Sequence, residues 1–170
     1  MKKYEFTGET KQINLLFRTA TLHRIRAVVE FGLVKIGDLG GWIEKEENLS
    51  HDGKAWVWGN AKVCGDAKVC GDAEVWGNAE VCGDAEVFSA SHVLVIGAIG
   101  SRNDFTTFFR DKDGEITVKC GCFLGKIDRF LEKVTSTHGN SKYALVYWVA
   151  VEVAKLQIDL TDEAPEMNEK

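Results

Sequence analysis

Proline is nearly missing: the 170 residues hold one, Pro165, beside seventeen glycines. Tight corners in this chain must therefore be built from glycine, and a proline-rich disordered tether is excluded. Positive charge is also scarce, with 21 Lys and Arg against 26 Asp and Glu, a net charge of -5. A protein that grips a nucleic-acid polymer normally carries a basic face, so a nucleic-acid partner is not expected. No apolar run approaches the length of a membrane span, and the N-terminal residues do not resemble a signal peptide. No membrane partner and a cytoplasmic setting are the expectation.

Cysteine is present but sparse and odd in number, five in all, which does not make a secreted disulfide framework. Cys64, Cys70 and Cys82 occupy equivalent positions of a repeat and read as moderately apolar surface residues. Cys120-Gly-Cys122 is too closely spaced for the common Cys-x-x-Cys zinc half-site, and no second pair lies nearby, so no metal is expected. A phosphate-binding glycine loop, a Ser-His-Asp arrangement and a functional carboxylate pair are likewise missing.

What the chain does contain is a repeat. From Val57 to Val93 it reads VWGNAK VCGDAK VCGDAE VWGNAE VCGDAE VFSASH V. Valine recurs every six residues, a small residue follows four places later, and Gly-Asn or Gly-Asp fills the corners. Hexapeptide periodicity is a signature of a parallel coil whose turns bury one continuous core. If three hexads close a turn, residues eighteen apart stack on neighbouring strands: Trp58 on Trp76, Asn60 on Asn78, Cys64 on Cys82 and Cys70 on Phe88. With valine inward, its neighbours point out. One outward column then holds Trp, Cys and Phe, and the other places Lys62 over Glu80 and Lys68 over Glu86. Contiguous exposed apolar surface marks an interface or a ligand groove.

The flanks divide the chain further. Residues 1–33 contain two or three alternating, strand-like runs and read as a β cap for the coil. Residues 34–100 carry the repeat, opening with a degenerate turn in which Ile43 and Leu49 point inward. One extra residue, in the loop Ser50-His-Asp-Gly53, separates that turn from Val57. Residues 101–158 read as an α+β cap: a β-hairpin turning at Asp111-Lys-Asp-Gly114, then a helix ending near Gly139, then a helix from Ser141 to about Ile158. The second helix is expected to bury Ala144, Tyr147, Trp148, Val151 and Ala154. Residues 159–170 are acidic and polar, a flexible tail.

The repeat resembles that of the hexapeptide-repeat proteins, whose fold is a left-handed parallel β-helix. The larger layout, carried by Leu22-His-Arg-Ile-Arg-Ala27, Gly37-Asp-Leu-Gly-Gly-Trp-Ile-Glu44, Asn48-Leu-Ser-His51, the Val-x-Gly-Asn/Asp-Ala array and Cys120-Gly-Cys-Phe123, is similar to that of small phage and prophage members of that group. Such proteins are often labelled transferases on the strength of the repeat alone. The resemblance implies a mainly β fold: a short left-handed β-helix with an N-terminal β cap and a C-terminal β-hairpin plus helical hairpin. It also implies a homo-oligomer, the trimer usual for the family, which would cover the Trp and Cys stripe.

Two functions follow from the resemblance, and a third from the stripe alone. The first is a non-enzymatic binding protein, a counter-defence sponge of phage type that sequesters a nucleotide-derived signal in an oligomer groove. A base would stack on Trp58 or Trp76, Asn60 and Asn78 would meet polar edges, and Lys62 or Arg102 a phosphate. The second is an acyltransferase using acetyl-coenzyme A, with His51 or His92 as general base. The third is a structural or adaptor oligomer whose tryptophans are consumed in self-association.

Overall fold

The computed structural model describes residues 1–163; it is mainly β, with two helices at the C-terminal end. The chain begins with a hairpin of β1 (Tyr4–Asn14) and β2 (Thr19–Ala27), paired antiparallel from Tyr4 against Ala27 to Asn14 against Thr19. β3 (Leu39–Ile43) adds antiparallel to β2, and beyond it the pairing turns parallel.

Each hexad contributes one two-residue strand: β4 (Trp56–Val57), β5 (Lys62–Val63), β6 (Lys68–Val69), β7 (Glu74–Val75), β8 (Glu80–Val81) and β9 (Glu86–Val87). β4 pairs with β7, β5 with β8 and β6 with β9, all parallel, with valine opposite valine. Three hexads thus occupy three separate sheets before the fourth returns above the first. The sheets are a five-stranded one of order β1-β2-β3-β5-β8 and the two-stranded ladders β4-β7 and β6-β9.

The repeat explains the core. Val57, Val63, Val69, Val75, Val81 and Val87 are all at most 1% exposed, and Ala61, Ala67, Ala73, Ala79 and Ala85 close the gaps at the corners. Each such valine contributes about 1.5–3 kcal/mol of burial. Glycine is obligatory where corners stack. At Gly71, with φ +61°, a Cβ would come within 2.7 Å of the Phe88 carbonyl oxygen.

The degenerate first turn joins with a larger slip than expected. Ile43 pairs with Val63 and Leu49 bridges to Val69, each twenty residues on, so two extra residues separate Leu49 from Val57 rather than one. Lys54 and Ala55 N–H both donate to the Gly71 carbonyl at 2.9 Å, which closes the loop back onto the ladder. Asn48, fully buried, secures this turn. Its Nδ2 donates to the carbonyls of Gly65 and Ala67, and its Oδ1 accepts from the N–H groups of Glu44 and Lys45.

Two further expectations are corrected. Cys64 and Cys82 are not surface residues: they are bridged as a disulfide and buried with Leu22 beneath Ile13, Leu15 and Trp42. Parallel stacking brings their Cα atoms to 4.7 Å, inside the range a disulfide spans, and the hairpin covers them. Trp148 is 44% exposed, whereas Ala144, Tyr147, Val151 and Ala154 are buried as expected.

After the last hexad, β10 (Val93–Ile99) leaves the coil and heads an antiparallel sheet with β11 (Asp104–Arg110), β12 (Ile116–Cys120) and β13 (Phe123–Lys126). The β11–β12 turn is knit by Asp111, whose carboxylate accepts from the Asp113 and Glu115 N–H groups, Thr117 Oγ1 and Lys126 Nζ. α1 (Ile127–His138) and α2 (Lys142–Gln157) follow, joined at Gly139 with φ +56°. They pack Phe130, Leu131, Val134, Tyr147 and Val151 against Phe108 and Val118 of the sheet. Ser141 stands at the N-cap of α2 without a side-chain hydrogen bond. The expected flexible tail is docked at its start: Asp159 N–H donates to the Ser91 carbonyl at 3.2 Å, and 164–170 lie outside the described residues. No helix among the described residues is long and apolar enough to cross a membrane.

Candidate functional site

A concavity with convergent polar groups forms where three parts of the fold meet. The far end of the N-terminal hairpin supplies Ile13, Asn14 and Leu15; the coil supplies Lys62, Asn78 and Glu80; the C-terminal sheet supplies Asp104, Phe105, Thr107 and Lys119, with the turn at Gly121. The cavity measures about 480 Å³, within the span of small-molecule sites. One wall is apolar and aromatic, and the floor is ionic.

Local pairing explains the floor. The eighteen-residue repeat stacks Lys62 on Glu80, with Nζ 2.5 Å from Oε1. Lys119 of β12, only 5% exposed, reaches Glu80 Oε2 at 3.1 Å and donates to the Gly121 carbonyl. Thr107 Oγ1 accepts the Glu80 N–H at 2.9 Å, which leaves the Thr107 hydroxyl proton free to donate. Burial pushes the Glu80 carboxyl up, but the hydrogen bond from Lys62 and the charge of Lys119 outweigh it and hold its pKa below the usual range.

A further cation backs this floor. Lys11 Nζ stands over the Trp42 ring at 4.0 Å, and Arg24 approaches the same ring at 5.5 Å. Among the described residues Lys11 makes no ion pair, and its pKa is pulled down to about 8, first by burial and then by the positive charges of Lys62 and Arg24. An anion at the floor would meet Lys62 and Lys119 directly, and would relieve the repulsion at Lys11.

The residues singled out in the sequence divide among several places. Lys62 and Asn78 line the cavity. Trp58 and Trp76 lie face to face at 4.6 Å with planes 8° apart, Trp58 partly buried against the core and Trp76 47% exposed; neither lines the cavity. Asn60 is an exposed corner residue, and Arg102 lines a smaller neighbouring cavity on the far side of Gly121.

The two histidines lie elsewhere. His51 stacks on Tyr4 at 4.3 Å and its Nδ1 accepts the Lys3 N–H. His92, expected to face outward, is fully buried because the chain forms a 3-10 turn over Ala90–His92 and the start of the tail folds over it. Its Nδ1 accepts the Phe88 N–H at 3.3 Å, and Nε2 lies 3.2 Å from Asp162 Oδ2 without an aligned hydrogen bond. Burial lowers both imidazole pKa values. No histidine lines the cavity.

Sequence reasoning missed Ile13, Asn14, Leu15, Phe105, Thr107 and Lys119. Only Lys119, a lone cation in an otherwise apolar strand run, carried any signal. No protein-family model matches this chain, and no curated protein matches it. No group of three or more His, Cys, Asp or Glu side chains among the described residues is arranged to hold a metal ion.

Proposed function

We propose that this is a non-enzymatic binding protein that sequesters a nucleotide-derived anion in the cavity between hairpin, coil and C-terminal sheet. The observation that carries this is the meeting of Lys62 and Lys119 with an apolar wall of Ile13, Leu15 and Phe105, backed by the unpaired Lys11. A planar ring fits against Phe105 and Leu15, its polar edge toward Asn78, while a phosphate draws on the ammonium donors that Glu80 leaves free. The indole pair is an auxiliary surface in this reading, since each ring already covers a face of the other. The setting is the cytoplasm of a bacterial host, and the role is that of a phage counter-defence sponge.

The reading extends to architecture. We infer a left-handed winding of the coil, as in the hexapeptide-repeat proteins it resembles; three strands per turn and the parallel offset of eighteen support it. We also infer a homo-oligomer, with the trimer of that group as the expected form. The support is α2, which leaves large apolar side chains in the open: Leu145 and Val149 are each 63% exposed and Leu156 90%, beside a groove of about 380 Å³ lined also by Ile96 and Ile99. Helices of that kind are normally covered. The Cys64 and Cys82 part of the outward stripe is covered by the chain's own hairpin, which leaves α2 as the larger apolar face.

The test is a native mass spectrum of protein purified from bacterial cells. A copurified species with the mass of a nucleotide, released on denaturation, is expected. A copurified coenzyme A would point to acyl transfer instead, and an empty oligomer that no nucleotide loads would leave only a structural role.

A further inference from the structure

Beyond the turn at Gly121 lies the second cavity, about 150 Å³, which shares Asp104 and Gly121 with the first but differs in chemistry. Its floor is aromatic. Phe130 meets Phe123 at 5.4 Å and Tyr147 edge-on at 5.5 Å, with Val134 alongside. A cleft of this size has room for a single benzene-like ring on its aromatic floor.

The rim carries two cations, Arg102 and Lys133, against one carboxylate, Asp104. Arg102 and Lys133 both line the cavity, and among the described residues neither makes an ion pair. Arg102 is held over the turn backbone: a Cβ on Gly121 would come within 2.9 Å of its Nη1. The Tyr147 hydroxyl lies against Gly100, where a Cβ would come within 1.9 Å of Oη, and its polar neighbour is the Cys120 thiol at 3.9 Å. Two cations against one carboxylate over a ring-sized aromatic floor favour a ligand with an anionic end and a flat apolar body.

We propose that this cavity binds a small aromatic monocarboxylate, its ring among Phe123, Phe130 and Tyr147 and its carboxylate on the Arg102 guanidinium. A planar carboxylate matches the guanidinium fork with two parallel hydrogen bonds, which a spherical anion does not. Ring-edge contacts with Phe130 and Tyr147 orient the body. The site stands apart from the larger cavity, and nothing in it depends on a nucleotide being bound there.

The experiment is titration of the full, isotope-labelled chain with benzoate, benzyl alcohol and benzylamine, followed by amide chemical shifts. Benzoate is expected to shift the amides around 120–123 and 147 saturably, with benzyl alcohol weaker by about tenfold or more, the usual worth of a charged hydrogen bond. Benzylamine is expected to leave them unmoved. Arg102 is exposed, so Arg102→Ala keeps the fold; it should weaken benzoate about tenfold and leave benzyl alcohol unchanged. Equal binding of benzoate and benzyl alcohol, no saturable shift by benzoate, or full benzoate affinity in Arg102→Ala would each overturn the proposal.

Discussion

Lys62 and Glu80 are stacked across eighteen residues of sequence, Nζ to Oε1 at 2.5 Å, with the Glu80 side chain 28% exposed. Glu80 is both a structural anion and, in the proposed site, the competitor that an incoming phosphate must share its lysines with. Glu80→Gln should therefore lower stability by about 2–4 kcal/mol, because two poorly solvated ammonium groups lose their partner. It should at the same time strengthen binding of a nucleotide anion. Denaturant melts and calorimetry on the same variant measure the two effects, and weaker binding would contradict the competitor role.

The pH dependence of that pair has a definite sign. The Glu80 pKa is depressed in the folded protein, so its stabilising contribution is complete above the ordinary glutamate value near 4.5 and is lost as pH falls through the folded value. Melting temperatures of the parent and of Glu80→Gln should differ most near neutrality and draw together in acid.

Lys11 supplies a second pH marker. With its pKa near 8, it is charged at pH 7 and largely neutral at pH 9. Affinity for an anion at the cavity floor should fall as pH rises through that value, and Lys11→Met should flatten the profile. Calorimetric titrations at pH 7, 8 and 9 test this; an unchanged slope in the variant would separate Lys11 from the site.

Asn48 makes a purely structural prediction. Asn48→Ala leaves the Gly65 and Ala67 carbonyls and the Glu44 and Lys45 N–H groups without their partner, a loss of about 2–4 kcal/mol in urea unfolding. Asn48→Asp keeps the accepting oxygen but turns a buried carboxylate oxygen toward the Gly65 and Ala67 carbonyls, and should cost at least as much as Asn48→Ala at neutral pH.

The coil was legible because a period of six dictates both the buried valines and the glycine corners; the stack of Trp58 on Trp76 and the pairing of Lys62 with Glu80 follow from the repeat alone. The site was only half legible. Lys62 and Asn78 belong to the repeat, but Ile13, Leu15, Phe105 and Lys119 reach the cavity through the folding of the hairpin and the C-terminal sheet against it, which no local pattern encodes. His92 was misread for the same reason: its place in the hexad faces outward, and the 3-10 turn and the folded-back tail that bury it lie outside the repeat.

The exposed face of α2 bears on assembly. A double substitution, Leu145→Glu with Val149→Glu, should convert an oligomer to a monomer near 18.9 kDa without loss of the β signal in circular dichroism. Light scattering that finds the parent protein already monomeric at micromolar concentration would remove this interface.

The most direct measurement of the central claim is calorimetry with AMP, ADP and cyclic AMP on Lys62→Ala and Trp76→Ala side by side. Binding in the cavity requires that Lys62→Ala weaken the best of these ligands about tenfold or more, as loss of a charged contact does, while Trp76→Ala changes it by less than about threefold. The opposite order, with Trp76→Ala abolishing binding and Lys62→Ala leaving it intact, would move the site to the stacked indoles and contradict the assignment.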